Sequence, residues 1–122
     1  MIIHSADAPT FQQDGLLATG YASPSRGADI SLWKLTLPAG NRSPLHSLSR
    51  DEAFLALGGT AVATIDGEEH AFAAGDCLVV PAGAEFSLRV GDEGLEAVCA
   101  MPAGAQASLL PDGPTFTPPW AA

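Results

Sequence analysis

Apolar residues in this chain fall in short runs that alternate with polar ones, and glycine, proline or an Asp-Gly pair breaks the runs every few residues. That period of two is the mark of strands with one buried face. The clearest run is Ile30 to Leu37, which places Trp33, Leu35 and Leu37 on one face and Lys34 and Thr36 on the other. Pro38-Ala39-Gly40 ends it, and a polar stretch, Asn41 to Asp51, follows. Glu52 to Leu57 reads as a second strong strand closed by Gly58-Gly59. Ala61–Ile65 and Glu68–Phe72 flank Asp66-Gly67, the pair that best tolerates positive φ at both positions of a two-residue hairpin turn. Turns at Gly75-Asp76 and Pro81-Ala82-Gly83 bracket Cys77–Val80, and Gly91 to Gly94 separates Glu85–Val90 from a last strand, Leu95 to Met101. Leu16 to Ala22 predicts a short first strand, while the polar residues 1–15 read as an extended arm. Eight or so strands and no helix predict an all-β sandwich or closed barrel, and closure would remove the exposed edges of such apolar strands.

A length of 122 residues fits a single domain. Its expected parts are an arm and first strand over 1–29, a barrel core over 30–101, and a Pro-rich tail over 102–122. That tail, anchored by Phe116 and Trp120, would pack on the barrel or on a dimer mate. Hydrophobic residues at 47% suffice to fill a core, and charged residues at 16% leave little for amphipathic surface helices. Fourteen acidic against five basic side chains give a net charge of -9, which repels phosphate backbones and anionic lipid. Nucleic-acid and membrane partners are therefore not expected. No secretory segment or spanning helix is visible, and two cysteines make no disulfide framework, so a cytoplasmic protein with reduced thiols is the expectation.

Two segments carry the chemistry. Gly40 is followed by five residues, His46, one residue, Leu48, three residues, Glu52, six residues and Gly59. Gly75 is followed by five residues, Pro81-Ala82-Gly83, two residues and Phe86. In order and spacing these resemble the two motifs of the cupin superfamily, over about residues 30–101. The resemblance implies a cupin jelly-roll β-barrel. It also implies a metal centre built from two histidines and a glutamate in the first motif and a third histidine in the second. Here His46 and Glu52 match ligand positions, but Leu48 and Phe86 stand where two histidines would. An asparagine often found after the second motif is replaced by Val90.

Leucine and phenylalanine cannot coordinate a cation, and a catalytic zinc or non-haem iron centre normally takes three protein ligands. His46 and Leu48 share a face, as do Glu52 and Phe54, and Phe86 and Leu88. The expected site is thus an apolar barrel pocket with one polar handle, His46 and Glu52, acting on each other or on a ligand. Its expected lining adds Trp33, Leu35, Leu48, Phe54, Phe86 and Leu88, with Cys99 and Met101 from the last strand. Cys99 also reads as a small buried hydrophobe, and His4 and His70 as surface residues.

Three functions stay open. The first is a pocket for a small organic molecule with no cofactor, binding it or acting as a metal-free isomerase or cyclase, with His46 as base and Glu52 assisting. The second is a metal-dependent dioxygenase or isomerase in which one divalent transition metal is held by His46, Glu52 and a further ligand. The third is a non-catalytic sensory or structural module. Small single-domain members of the family pair as homodimers, and the resemblance implies the same here.

Overall fold

In the computed structural model, which describes residues 1–122, the chain forms ten strands. They are β1 (Thr10–Gln13), β2 (Leu16–Ala22), β3 (Ile30–Leu37), β4 (His46–Leu48), β5 (Glu52–Ile65), β6 (Glu68–Ala73), β7 (Cys77–Val80), β8 (Phe86–Pro102), β9 (Ala107–Leu109) and β10 (Thr115–Phe116). Only three short 3-10 turns interrupt them, at Ser5–Asp7, Pro24–Arg26 and Pro119–Ala121. All pairings are antiparallel, in the order β1-β2-β3-β8-β4-β9-β10, with β5 joined to β8, β7 and β6. The sheet curls on itself as an all-β jelly-roll barrel around a core cluster of 23 buried side chains.

Alternation in the sequence carries over directly into burial. On β3, Ser31, Trp33, Leu35 and Leu37 are buried while Lys34 and Thr36 are exposed. On β5, Glu52, Phe54 and Ala56 face inward, and on β8 so do Phe86, Leu88 and Val90. The Asp66-Gly67 turn has φ of 49° and 83°, and β5 and β6 leave it in register from Ile65 and Glu68.

Three expectations need correction. Residues 1–15 are not wholly an arm, because Thr10–Gln13 pairs with β2 through a tight turn at Asp14-Gly15. That strand is held by backbone pairing, with only Phe11 half-buried, so no alternation announces it. Glu52–Leu57 and Ala61–Ile65 are one strand, not two. Likewise Gly91–Gly94 does not reverse the chain, and β8 runs through it from Phe86 to Pro102.

Both joins lie at one corner of the barrel. Gly59 is opposite Leu95 and Ala61 opposite Val90, so β8 bulges by several residues where β5 bulges by one. The backbones touch there: a Cβ on Gly59, whose φ is +80°, would collide with the Gly94 carbonyl. Glycine thus bends the strands here instead of ending them.

Residues 102–122 fold back on the barrel of their own chain. β9 pairs with β4, setting Leu109 opposite His46 and Ala107 opposite Leu48. The last turn is pinned to β3 by the buried Ser31 hydroxyl, which donates to the Ala121 carbonyl at 2.6 Å. Gly20 leaves room for the Trp120 carbonyl, which a Cβ there would meet at 2.8 Å.

Candidate functional site

Inside the barrel lies a cavity of about 200 Å³. Its walls are Trp33, Leu35 and Leu37 of β3, Leu48 of β4, Phe54 of β5, and Phe86, Leu88 and Met101 of β8. His46 and Glu52 provide its polar interior. A mostly apolar wall with two polar groups inside suits a small organic molecule.

β4 and β8 bring the first and second motifs together, with His46 directly opposite Phe86. The two rings lie 4.0 Å apart at 43°, and Phe86 meets Phe54 edge-on at 6.2 Å. Phe86 is fully buried. It therefore fills the position where a third imidazole would point at the centre of the site.

His46 Nδ1 lies 2.7 Å from the Pro44 carbonyl oxygen, which can only accept, so Nδ1 carries the proton. In the neutral ring Nε2 is then a free acceptor. Burial lowers the His46 pKa, against an opposing effect of the Pro44 hydrogen bond, so the ring is neutral at pH 7. Glu52 is 6% exposed and has no hydrogen-bond or ion-pair partner in the protein. Burial pushes its carboxyl up to about 8. No fully buried side-chain oxygen lacks a partner, so the carboxyl group retains access to the cavity. At neutral pH the site thus holds one uncharged acceptor and one uncharged acid.

Mutual satisfaction of the two groups is a reading the structure corrects. No ion pair joins His46 to Glu52, and the only ion pairs are Lys34–Glu96 and Arg89–Glu69. Desolvation of both groups removes the charges that would draw them together. Cys99 needs correction as well. It is fully buried opposite Trp33 and Phe54 but is not part of the cavity wall, because the two large rings beside it reach the lumen where the short thiol does not. Burial, and then the Glu52 carboxylate once it ionises above about pH 8, push the Cys99 thiol well up, so it stays protonated. His4 and His70 are exposed and away from the cavity.

No group of three or more His, Cys, Asp or Glu side chains comes together anywhere in the molecule in a way that could hold a metal ion. His46 and Glu52 offer two donors, and Leu48 and Phe86 occupy the other two positions of the motif pattern. The side chains present do not fit a centre with three protein ligands.

Several cavity residues were not expected from the sequence. Leu37 shares the parity of Trp33 and Leu35 and was legible in principle. Arg42 and Ser43 come from the polar stretch before β4, and Leu109, Phe116 and Trp120 from the tail. Phe116 and Trp120 were legible as tail anchors but not as cavity wall, which depends on how the tail folds back across β4, whereas Arg42 and Ser43 are placed by pairing of their segment with β8.

Comparison with known proteins bears on the fold. A family model described as Cupin domain matches residues 33–101. No curated protein matches the chain. Among solved structures, a variant of oxalate decarboxylase from Bacillus subtilis superposes with a TM-score of 0.72 and 20% identity, over 82% of this chain and 28% of that one. Salicylate 1,2-dioxygenase from Pseudoaminobacter salicylatoxidans gives a TM-score of 0.67 and 21% identity, over 77% and 26%. An RmlC-like cupin from Shewanella frigidimarina gives 0.70 and 14%, over 81% and 86%. The chain thus spans less than a third of the decarboxylase and dioxygenase chains, and identities this low carry the fold alone. Two motifs in order, a barrel that brings them face to face, and a family match over most of the strands lead to one conclusion: the chain belongs to the cupin family.

Proposed function

We propose that this cupin binds a small organic molecule in its barrel cavity and uses His46 and Glu52 as an uncharged acceptor–donor pair, without a metal. The observation that carries this reading is the state of the two groups: Nε2 of His46 is free, and the Glu52 carboxyl, raised to about 8, is unpartnered and accessible from the cavity. Such a pair suits an isomerase- or cyclase-like proton transfer. Nε2 would take a proton from carbon next to a carbonyl while the Glu52 O–H supports the carbonyl oxygen as it gains charge, a contribution of about 10²–10⁴ in rate for the base.

The experiment is hydrogen–deuterium exchange of small cyclic ketones in deuterium oxide, followed by NMR. The wild type should exchange at least one ketone of the panel, and His46→Gln should lose that activity while retaining binding. Binding with no exchange anywhere in the panel would reduce the function to a non-catalytic sensory or structural one. The metal-dependent alternative is open to a direct measurement. A stoichiometric transition metal in purified protein that disappears in His46→Ala would overturn the proposal.

We propose in addition that the cytoplasmic form is a homodimer. Outside the barrel, Leu55 and Leu57 of β5 and Val79 of β7 are 43%, 50% and 55% exposed and lie beside the exposed Cys77. Half-buried Val98 and Ala100 of β8 continue this face, and its charged pair, Lys34 with Glu96 at 2.8 Å, is neutral as a unit. A second copy of a chain with net charge -9 can approach closely only through a patch without net charge, which this face supplies.

A further inference from the structure

The cavity wall carries aromatic rings from separate parts of the chain. Trp33 stands on β3, Phe54 on β5, Phe86 on β8, Phe116 on β10 and Trp120 on the last turn. Among these rings lies Glu52, on the inward face of β5 with Phe54, 6% exposed and without a partner in the protein. A buried carboxylate calls for a positive charge nearby, and the wall supplies none. His46 is neutral and makes no ion pair with it. Val80 of β7, directly opposite Glu52, is apolar. Of the five basic side chains, only Arg42 belongs to a segment along the wall. Its antiparallel bridge to the outward-facing Arg89 turns its side chain to the outer face of the sheet.

We infer that the cavity takes a small quaternary ammonium ion, its methyl groups against the aromatic rings and its charge on the Glu52 carboxylate. Such a ligand goes beyond the proposed proton transfer, for which it would be a competitor. A nitrogen carrying four carbon groups has no N–H to satisfy. It can enter an apolar cavity without stranding donors, as a primary amine would. Ring faces attract the cation through their quadrupoles, Trp most strongly, and the attraction grows away from water. With a net charge of -9, the chain draws cations and repels acids. On binding, the Glu52 O–H bond breaks, its proton passes to the buffer, and the electron pair stays on the carboxylate facing the cation. Burial pushes Glu52 up to about 8, so at pH 7 this release costs only about tenfold in affinity. His46 of β4 and Cys99 of β8 share its surroundings and are uncharged at that pH. Asp14 of the β1–β2 turn is exposed and lines the same cavity. With the cation bound, Glu52 can no longer donate a proton.

Three probes decide the matter, titrated calorimetrically into the full chain at pH 7: choline, neohexanol, which has carbon in place of the nitrogen, and ethanolamine. Choline should bind at least about tenfold more tightly than either of the others. Its heats in phosphate and in Tris should report the release of close to one proton. At pH 9, where Glu52 is already ionised, choline should bind about tenfold more tightly than at pH 7 and release little. Glu52→Gln should remove both the preference for choline and the proton release, and leave neohexanol affinity within about twofold. Equal binding of choline and neohexanol, a preference that survives Glu52→Gln, or choline binding at pH 7 without proton release overturns the assignment. Ethanolamine binding as tightly as choline overturns the quaternary class. If none of the three binds, the assignment falls, while ketone exchange still decides the proton-transfer reading on its own.

Discussion

Glu52 is a carboxylic acid placed where ionisation is costly, and this sets a pH dependence for the whole protein. Its pKa rises from an unfolded value of about 4.5 to about 8 in the fold. Below pH 4.5 both states hold the proton and Glu52 has no effect on stability. Between 4.5 and 8 the folded state keeps a proton that the unfolded state has lost, so stability falls as pH rises, by up to about 1.4 kcal/mol per unit. Above 8 the loss levels off. Glu52→Gln cannot ionise and should therefore melt close to the wild type at pH 5 and increasingly above it towards pH 8. Parallel thermal melts across that range check this, and a constant difference would mean that Glu52 is ionised in the fold. His46 runs in the opposite sense: its lowered pKa means that it resists protonation in the fold, so its contribution is lost as pH falls below about 6.5.

Strand pairing is what turns scattered residues into a site. Because His46 on β4 is opposite Phe86 on β8, the positions held by Leu48 and Phe86 face the same cavity as His46 and Glu52. Restoring imidazoles there with Leu48→His and Phe86→His should create a four-ligand centre. The double variant should take up one equivalent of cobalt, read from its visible absorption, whereas the wild type should not. A folded double variant that binds none would show that the four positions do not converge. Much of this convergence was legible in the sequence, since motif spacing and strand parity put His46, Leu48, Glu52, Phe54, Phe86 and Leu88 on inward faces. The continuity of β5 and β8 was not. Gly58-Gly59 and Gly91–Gly94 have the composition of turns, and only the partner strand decides whether glycine reverses a chain or bends it. At that corner Gly59→Ala should destabilise by at least about 2 kcal/mol, because the added methyl meets the Gly94 carbonyl at a positive φ. Urea denaturation would measure it, and a loss below about 1 kcal/mol would mean that the corner opens easily.

For the whole molecule, the outer face of β5, β7 and β8 is an apolar area on an otherwise acidic surface. Leu55→Asp places a like charge at its centre in each copy. The wild type should sediment as a dimer at micromolar concentration and Leu55→Asp as a monomer, with the barrel still folded by circular dichroism. A wild-type monomer would refute the pairing. The tail adds a second property of this scale. Phe116 and Trp120 help to close the cavity, and Ser31 holds the last turn through the Ala121 carbonyl. Ser31→Ala should cost about 1–3 kcal/mol, since it leaves a buried carbonyl without its donor. Thermal or urea unfolding of the variant would read this, and an unchanged midpoint would mean that the tail is not held by this bond.

By itself the sequence determined the all-β class, the inward faces, the hairpin at Asp66-Gly67 and the replacement of two imidazoles by apolar side chains. These follow from local rules: a period of two, turn chemistry and motif spacing. Tertiary structure alone decided that His46 and Glu52 stay apart, that the wall beside Cys99 is made by its larger neighbours, and that the tail frames the cavity. Each of these depends on contacts between segments distant in the chain, and on the loss of water around charged groups, neither of which is written in any local stretch of residues.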